Sequence, residues 1–139
     1  MDNTKILDIT DSVKWIGVLD PDLETSDVVM ETKYGTTYNS YLVNDSEITI
    51  IETVKENFWA LYEAKIHSLV DPSKIKYIIL NHTEPDHSGS LKNLLAIAPE
   101  ATVIGTGNAI RYLNEFLGTP FPHRIVKDGD TLNTGKNTF

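Results

Sequence analysis

Between an apolar run at 75–80 and an apolar segment at 91–97 lies Asn81-His82-Thr83-Glu84-Pro85-Asp86-His87-Ser88-Gly89. The first run has the length and β-branched content of a buried strand, and the second reads as a helix. Mixed α/β folds build their sites where strands end, so ligand-type side chains at this junction constrain the architecture. A strand-to-helix connection can satisfy its backbone with Ser, Thr and Gly alone. Two imidazoles and two carboxylates within residues 82–87 exceed that need. His82, Glu84 and Asp86 alternate by two, which puts them on one side of an extended loop. Pro85 fixes its own φ and biases Glu84 toward extended geometry, whereas His87 points elsewhere unless the loop turns. Imidazole and carboxylate at fixed spacing form the usual ligand set for first-row metals, which outweighs the blander reading of a solvated polar loop.

The rest of the chain supplies a frame for such a loop. Strands are expected over 5–8 and 13–19, then a hairpin of 38–43 with 47–52 across the polar turn Asn44-Asp45-Ser46. Thr53 and Glu56 have capping-box spacing and predict a helix running to about Leu69. Phe58, Leu61, Tyr62, Ile66 and Leu69 recur along it at helical spacing, as a core face does. Asp71-Pro72 ends that helix. A strand over 75–80, the ligand loop and a helix closing near Pro99 follow. A strand over 101–104 then leads to a helix over 108–117 capped by Gly118. Gly105-Thr106-Gly107 opens that helix, but Ile110 stands where a dinucleotide fingerprint needs its third glycine, so a tight turn is expected. Hairpins first and β-α-β units afterwards indicate an α+β fold, the first half of an αββα sandwich.

Composition removes several function classes. The net charge of −8 argues against nucleic acid, because no basic patch offsets phosphate repulsion. No apolar run has the length to span a bilayer, and the opening Met-Asp-Asn-Thr-Lys lacks a signal-peptide core, so no membrane association is expected. Cysteine is absent, which excludes a disulfide framework, an iron–sulfur cluster and a thiolate zinc site within these residues. A reducing cytoplasm is the simplest compartment.

The motif also carries a family resemblance. The metallo-β-lactamase superfamily holds two zinc ions with His-x-His-x-Asp-His at a strand end. This chain has His82-x-Glu84-x-Asp86-His87, with a carboxylate in place of the second His. That version resembles the flavodiiron proteins, reductases of dioxygen or nitric oxide with a di-iron site in a lactamase-like domain. The added carboxylate is a harder, anionic ligand and favours iron over zinc. Trp15-Ile16-Gly17-Val18, residues 35–43, Ile51-Glu52-Thr53-Val54-Lys55 and residues 126–132 are similar to other segments of that family. One departure stands out: residues 23–30 contain no His where many members carry a His-containing loop.

The resemblance implies that His82 and Glu84 ligate one iron and Asp86 the other. His87 is then not a ligand but an active-site residue beside the metals. Three side chains cannot hold two metals, and no later residue fits the family's remaining ligand roles. His123 sits in Thr119-Pro120-Phe121-Pro122-His123-Arg124, a loop entering a strand, and His67 sits on a helix. Both read as ordinary packed or solvated histidines. Residues 1–139 are therefore expected to be the N-terminal part of a metallo-β-lactamase-like domain: a fragment, a truncated product or one subunit of a split protein. The remaining part of the domain and its ligands would lie outside these residues, and this piece alone would be inactive.

By the same resemblance the cofactors are two non-haem iron ions, with zinc as the alternative, and FMN only through a flavodoxin-like domain or partner outside this chain. The partners are O2 or NO as substrate and a redox donor such as rubredoxin or a flavin domain. The complete protein would be a homodimer. A zinc-dependent hydrolase of the same fold and a flavin-free di-iron oxygen sensor are the alternative functions.

Overall fold

A computed structural model describes residues 6–20, 25–27, 30–31, 36–81, 88–127, 129–135 and 138–139. Its main element among the described residues is a seven-stranded mixed sheet in the order β1-β2-β7-β8-β9-β10-β11. The early half is an antiparallel meander of β1 (Leu7–Asp8), β2 (Val13–Trp15), β7 (Tyr41–Val43) and β8 (Ile48–Ile51). The later half is parallel: β8, β9 (Ile75–Ile79), β10 (Thr102–Gly105) and β11 (His123–Ile125) run side by side. The hairpin expected across Asn44-Asp45-Ser46 is present, with Val43 opposite Thr49.

Parallel neighbours need crossovers, and helices make them. Helix α1 (Trp59–Leu69) joins β8 to β9, α2 (Leu91–Ile97) joins β9 to β10, and α3 (Gly107–Leu117) joins β10 to β11. Leu42, Ile50, Ile78 and Val103 lie on adjacent strands and are fully buried, in one core with Tyr62 and Ile66 of α1, Leu91 and Leu94 of α2, and Ile110 and Leu113 of α3. The expected helical stripe of α1 is thus a core face, with Phe58, Leu61 and Leu69 partly buried at its margin. The α+β class read from the sequence is the class observed.

Two strands expected to be continuous are broken. The segment 13–19 divides into β2 and β3 (Val18–Asp20), and 38–43 divides into β6 (Thr36–Tyr38) and β7. In both cases the chain leaves the large sheet to form a separate β3–β6 pair. The breaks fall at Ile16-Gly17 and Asn39-Ser40, which face each other through the bond from Ile16 N–H to Ser40 O. A Cβ at Gly17 would overlap the Tyr38 carbonyl oxygen, so only glycine permits this approach. Lys65 of α1, almost wholly buried, spans the same break: its ammonium donates to Gly17 O at 2.5 Å and sits 5.0 Å from the centre of the Trp15 ring. A further short pair, β4 (Thr25–Asp27) with β5 (Met30–Glu31), falls in the region where the sequence lacks the family's histidine loop. The other residues of 23–30, at 23–24 and 28–29, lie outside the described residues.

Helix α1 also departs from expectation. No capping box forms: a 3-10 turn over Glu56–Phe58 precedes the helix, and neither has a side-chain cap bond. Thr53 is fully buried instead. By contrast, α3 follows its local signals, with Thr106 Oγ1 accepting from Ala109 N–H and Gly118 closing the helix at φ 69°.

Candidate metal centre

The parallel register brings the ends of β8, β9 and β10 to one edge of the sheet. Beyond them stand Glu52, Leu80-Asn81 and Thr106. His82, Glu84, Asp86 and His87 follow Asn81 directly and lie outside the described residues. What the structure defines is the platform on either side of them.

Both flanks of residues 82–87 are tied to one connection, the 52–55 segment between β8 and α1. Upstream, Leu80 N–H donates to Ile104 O at 3.0 Å, which seats the end of β9 against β10. Asn81 N–H then donates to Glu52 Oε1 at 2.5 Å. Downstream, Ser90 N–H donates to Val54 O at 3.0 Å and Ser90 Oγ to Lys55 O at 3.4 Å. Ser88, Gly89, Ser90 and Leu91 are buried, so the chain re-enters the core immediately after the motif.

Glu52 is the unusual residue of this platform. It is 6% exposed and has a φ of 63°, the sole positive value at a non-glycine among the described residues. A left-handed backbone costs an L-residue about 1–2 kcal/mol and persists only where the surroundings impose it. The surroundings here are explicit. Glu52 N–H donates to Ile79 O at 2.8 Å, so the residue still belongs to the β8–β9 ladder. Its carbonyl accepts from Ser40 Oγ at 2.9 Å and from the Tyr62 hydroxyl at 3.2 Å, and those two hydroxyls lie 2.6 Å apart. Burial holds the Tyr62 phenol well above its ordinary pKa, opposed by the Ser40 hydroxyl bond and reinforced by the Glu52 carboxylate, so it stays protonated. Sequence patterning places Glu52 merely as the last residue of a strand. The available signal was a carboxylate directly after Ile48-Thr49-Ile50-Ile51, where an apolar residue would continue a buried strand.

The remaining titratable candidates stand apart. His123 is exposed at the start of β11, its Nδ1 3.0 Å from Phe121 O and its ring tilted against Phe121. His67 is exposed on α1, with Nε2 3.7 Å from Glu63 Oε2 one turn earlier. Both match the ordinary roles expected of them. Among the described residues no three His, Cys, Asp or Glu side chains gather to hold a metal. The Gly105-Thr106-Gly107 segment is the expected turn into a helix, with the Thr106 hydroxyl engaged in its own cap.

A mixed sheet with helices crossing its parallel half, and a His/Glu/Asp motif in sequence directly beyond β9, defines a metallo-β-lactamase-like core. The chain belongs to the ODP family beta lactamase group, whose family model matches residues 36–138. It is 41% identical over 128 residues to the flavo-diiron protein FprA2 of Clostridium acetobutylicum, covering 91% of this chain and 32% of that protein. It is 34% identical over 133 residues to a nitric oxide reductase of Moorella thermoacetica, covering 94% and 33% respectively. Among solved structures, the rubredoxin oxygen:oxidoreductase of Desulfovibrio gigas superposes with a TM-score of 0.90 at 30% identity, over 96% of this chain and 34% of the other. The chain spans only 22% to 33% of the length of these and similar curated relatives. No helix among the described residues is long and apolar enough to cross a membrane.

Proposed function

We propose that residues 1–139 form the N-terminal part of the di-iron domain of a flavodiiron oxidoreductase that reduces O2 to water or NO to nitrous oxide. The observation that carries this reading is the 41% identity to a flavo-diiron protein across nearly the whole chain, with a Glu at position 84 of the motif. The donor set fits iron. One imidazole and two carboxylates are borderline and hard donors, suited to iron that must pass through the ferric state, and Glu84 moves the set away from the all-histidine preference of zinc hydrolases. His82 and Glu84 would hold one iron and Asp86 the other, with His87 beside them. Later residues of the complete protein would supply the rest.

When bound, the two irons would pass to the substrate electrons drawn from an external donor, four for each O2 reduced to water or two for each pair of NO. On this reading, the chain would supply three of the donors from the segment that follows the end of β9. The strand end is held by the Ile104 and Glu52 contacts, and the re-entry is held by Ser90. Electrons would come from a rubredoxin-type donor or from an FMN domain outside these residues, in keeping with the rubredoxin-linked relative. A homodimer would bring such a domain beside the irons. The lack of cysteine is consistent with a cytoplasmic setting.

Iron and zinc per chain, measured by elemental analysis of the complete protein purified without oxygen, test the reading. About two irons are expected, as a two-metal site requires, together with donor-dependent consumption of O2 or NO. Glu84→His should shift the metal content toward zinc, and Asp86→Ala should remove one iron. Zinc with esterase or lactamase turnover in the parent protein would replace this reading with the hydrolase.

A further inference from the structure

We infer that the hollow between the C-terminal ends of α2 and α3 is a binding site for a small apolar carboxylate of the medium-chain fatty-acid class. It holds about 330 Å³ and is walled by Leu95 and Ala98 at the end of α2, Leu117 at the end of α3, and Phe121 with its flanking prolines. It lies where β10 and β11 begin, whereas Glu52, Asn81 and Thr106 stand where β8, β9 and β10 end. The site is therefore separate from the candidate metal centre, and the inference does not depend on the di-iron reading. A mostly apolar hollow of this volume is at the lower end of the range for small-molecule sites.

The walls are held in place without an occupant. Ala98 is fully buried and its N–H donates to Leu94 O at 2.9 Å, and Val103 N–H ties the Pro122 carbonyl to β10 at 2.9 Å. Pro99, Pro120 and Pro122 each fix φ along the rim. Phe121 is partly buried against the core, with the His123 ring tilted behind it at 5.5 Å. Charge then selects the occupant. Lys92 is exposed, is the one charged side chain lining the hollow among the described residues, and makes no ion pair there. Glu63 shares the neighbouring hollow with Lys92, but its Oε2 is 3.7 Å from His67 Nε2. A lysine in this position lays its methylenes along an apolar wall and holds its ammonium at the mouth. The complement of an apolar hollow with one cation at its rim is an apolar chain that ends in one anion, and a cationic occupant would be repelled.

The test titrates the complete parent protein with octanoate and, separately, with octanol by calorimetry. Octanoate should bind with a Kd of about 1 mM or tighter. Octanol should bind about fivefold more weakly, the upper range for losing an exposed ion pair. Lys92→Met keeps most of the stem and removes the ammonium, so it should erase the preference for octanoate and leave octanol binding unchanged. Ala96 is exposed on α2 and lines the same hollow, so Ala96→Trp should fill it and abolish binding of both probes. Thermal unfolding of the two variants confirms that they are folded, and turnover of O2 or NO should match the parent. No octanoate binding to the parent below about 10 mM would overturn the inference, as when later residues of the complete protein fill the hollow. Parent-like binding in Ala96→Trp would overturn it as well, by placing the probe elsewhere. So would a preference for octanoate that survives in Lys92→Met.

Discussion

Two strand ends on the same edge of the sheet hand over to helices by different means. At the end of β10, Thr106 adopts an extended backbone and caps α3 through its own hydroxyl, and Gly118 closes the same helix in a left-handed conformation that suits glycine. Every residue there does what its type prefers. At the end of β8, Glu52 takes the left-handed backbone, its carboxylate goes to Asn81 rather than to a helix terminus, and α1 starts without a side-chain cap. The connection after β10 is organised by neighbours in sequence. The one after β8 is organised by residues from β6–β7, α1 and β9, and it is the one that flanks the motif. Local preferences explain the first connection, and contacts between residues distant in sequence override them in the second.

This contrast can be tested by variants, the largest effect first. Leu113→Ala removes a fully buried side chain from α3 and should cost about 2–5 kcal/mol in urea unfolding, with hydrogen exchange at Asn81 in the folded protein unchanged. Slower or faster exchange there would mean that the two strand ends are coupled. Tyr62→Phe deletes one of the two hydroxyls on the Glu52 carbonyl and leaves the Ser40 bond in place. A loss of about 1–2 kcal/mol is expected, with some acceleration of exchange at Asn81. An unchanged midpoint would show that Ser40 alone holds the connection.

Helix caps give smaller effects. Thr106→Ala should cost about 1 kcal/mol, whereas Glu56→Ala should stay within about 0.5 kcal/mol because no capping box forms at α1. Equal losses from the two would restore the capping box. The smallest effect concerns Asp71, which is exposed and whose carboxyl is held below its ordinary pKa by bonds from the Ser73 hydroxyl and amide. A depressed folded pKa contributes stability above the unfolded value near 4, and that contribution is lost as pH falls. Asp71→Asn should therefore leave a slightly shallower acid limb in a pH-dependent unfolding series, with no change in the alkaline limb.

Much of the frame was legible because it is written in short-range patterns. Residues 75–80 and 101–104 are apolar and β-branched, and they became β9 and β10 to within a residue. Asp71-Pro72 stops α1 as expected, with Asp71 starting the following 3-10 turn. Within residues 126–132, which resemble a segment of the family, Lys127 and Asp130 exchange two bonds. The donor types His82, Glu84, Asp86 and His87 were legible for the same reason, since they stand within six consecutive positions. The breaks at Ile16-Gly17 and Asn39-Ser40 were not legible, because β propensity runs through them. They arise from the close approach of two backbones separated in sequence.

Periodicity, punctuation and the identity of neighbouring side chains depend on a few adjacent residues, and so the sequence by itself determined the strands β9 and β10, the glycine that closes α3 and the residue types of the motif. The tertiary structure alone decided that β8 lies beside β9, which sets Glu52 against an amide 29 positions later and brings Ser40 and Tyr62 onto its carbonyl. No local pattern encodes those meetings. A left-handed glutamate is unfavourable taken alone, and it is stable here because four residues from three separate segments, Ser40, Tyr62 and the Ile79–Asn81 strand end, converge on it.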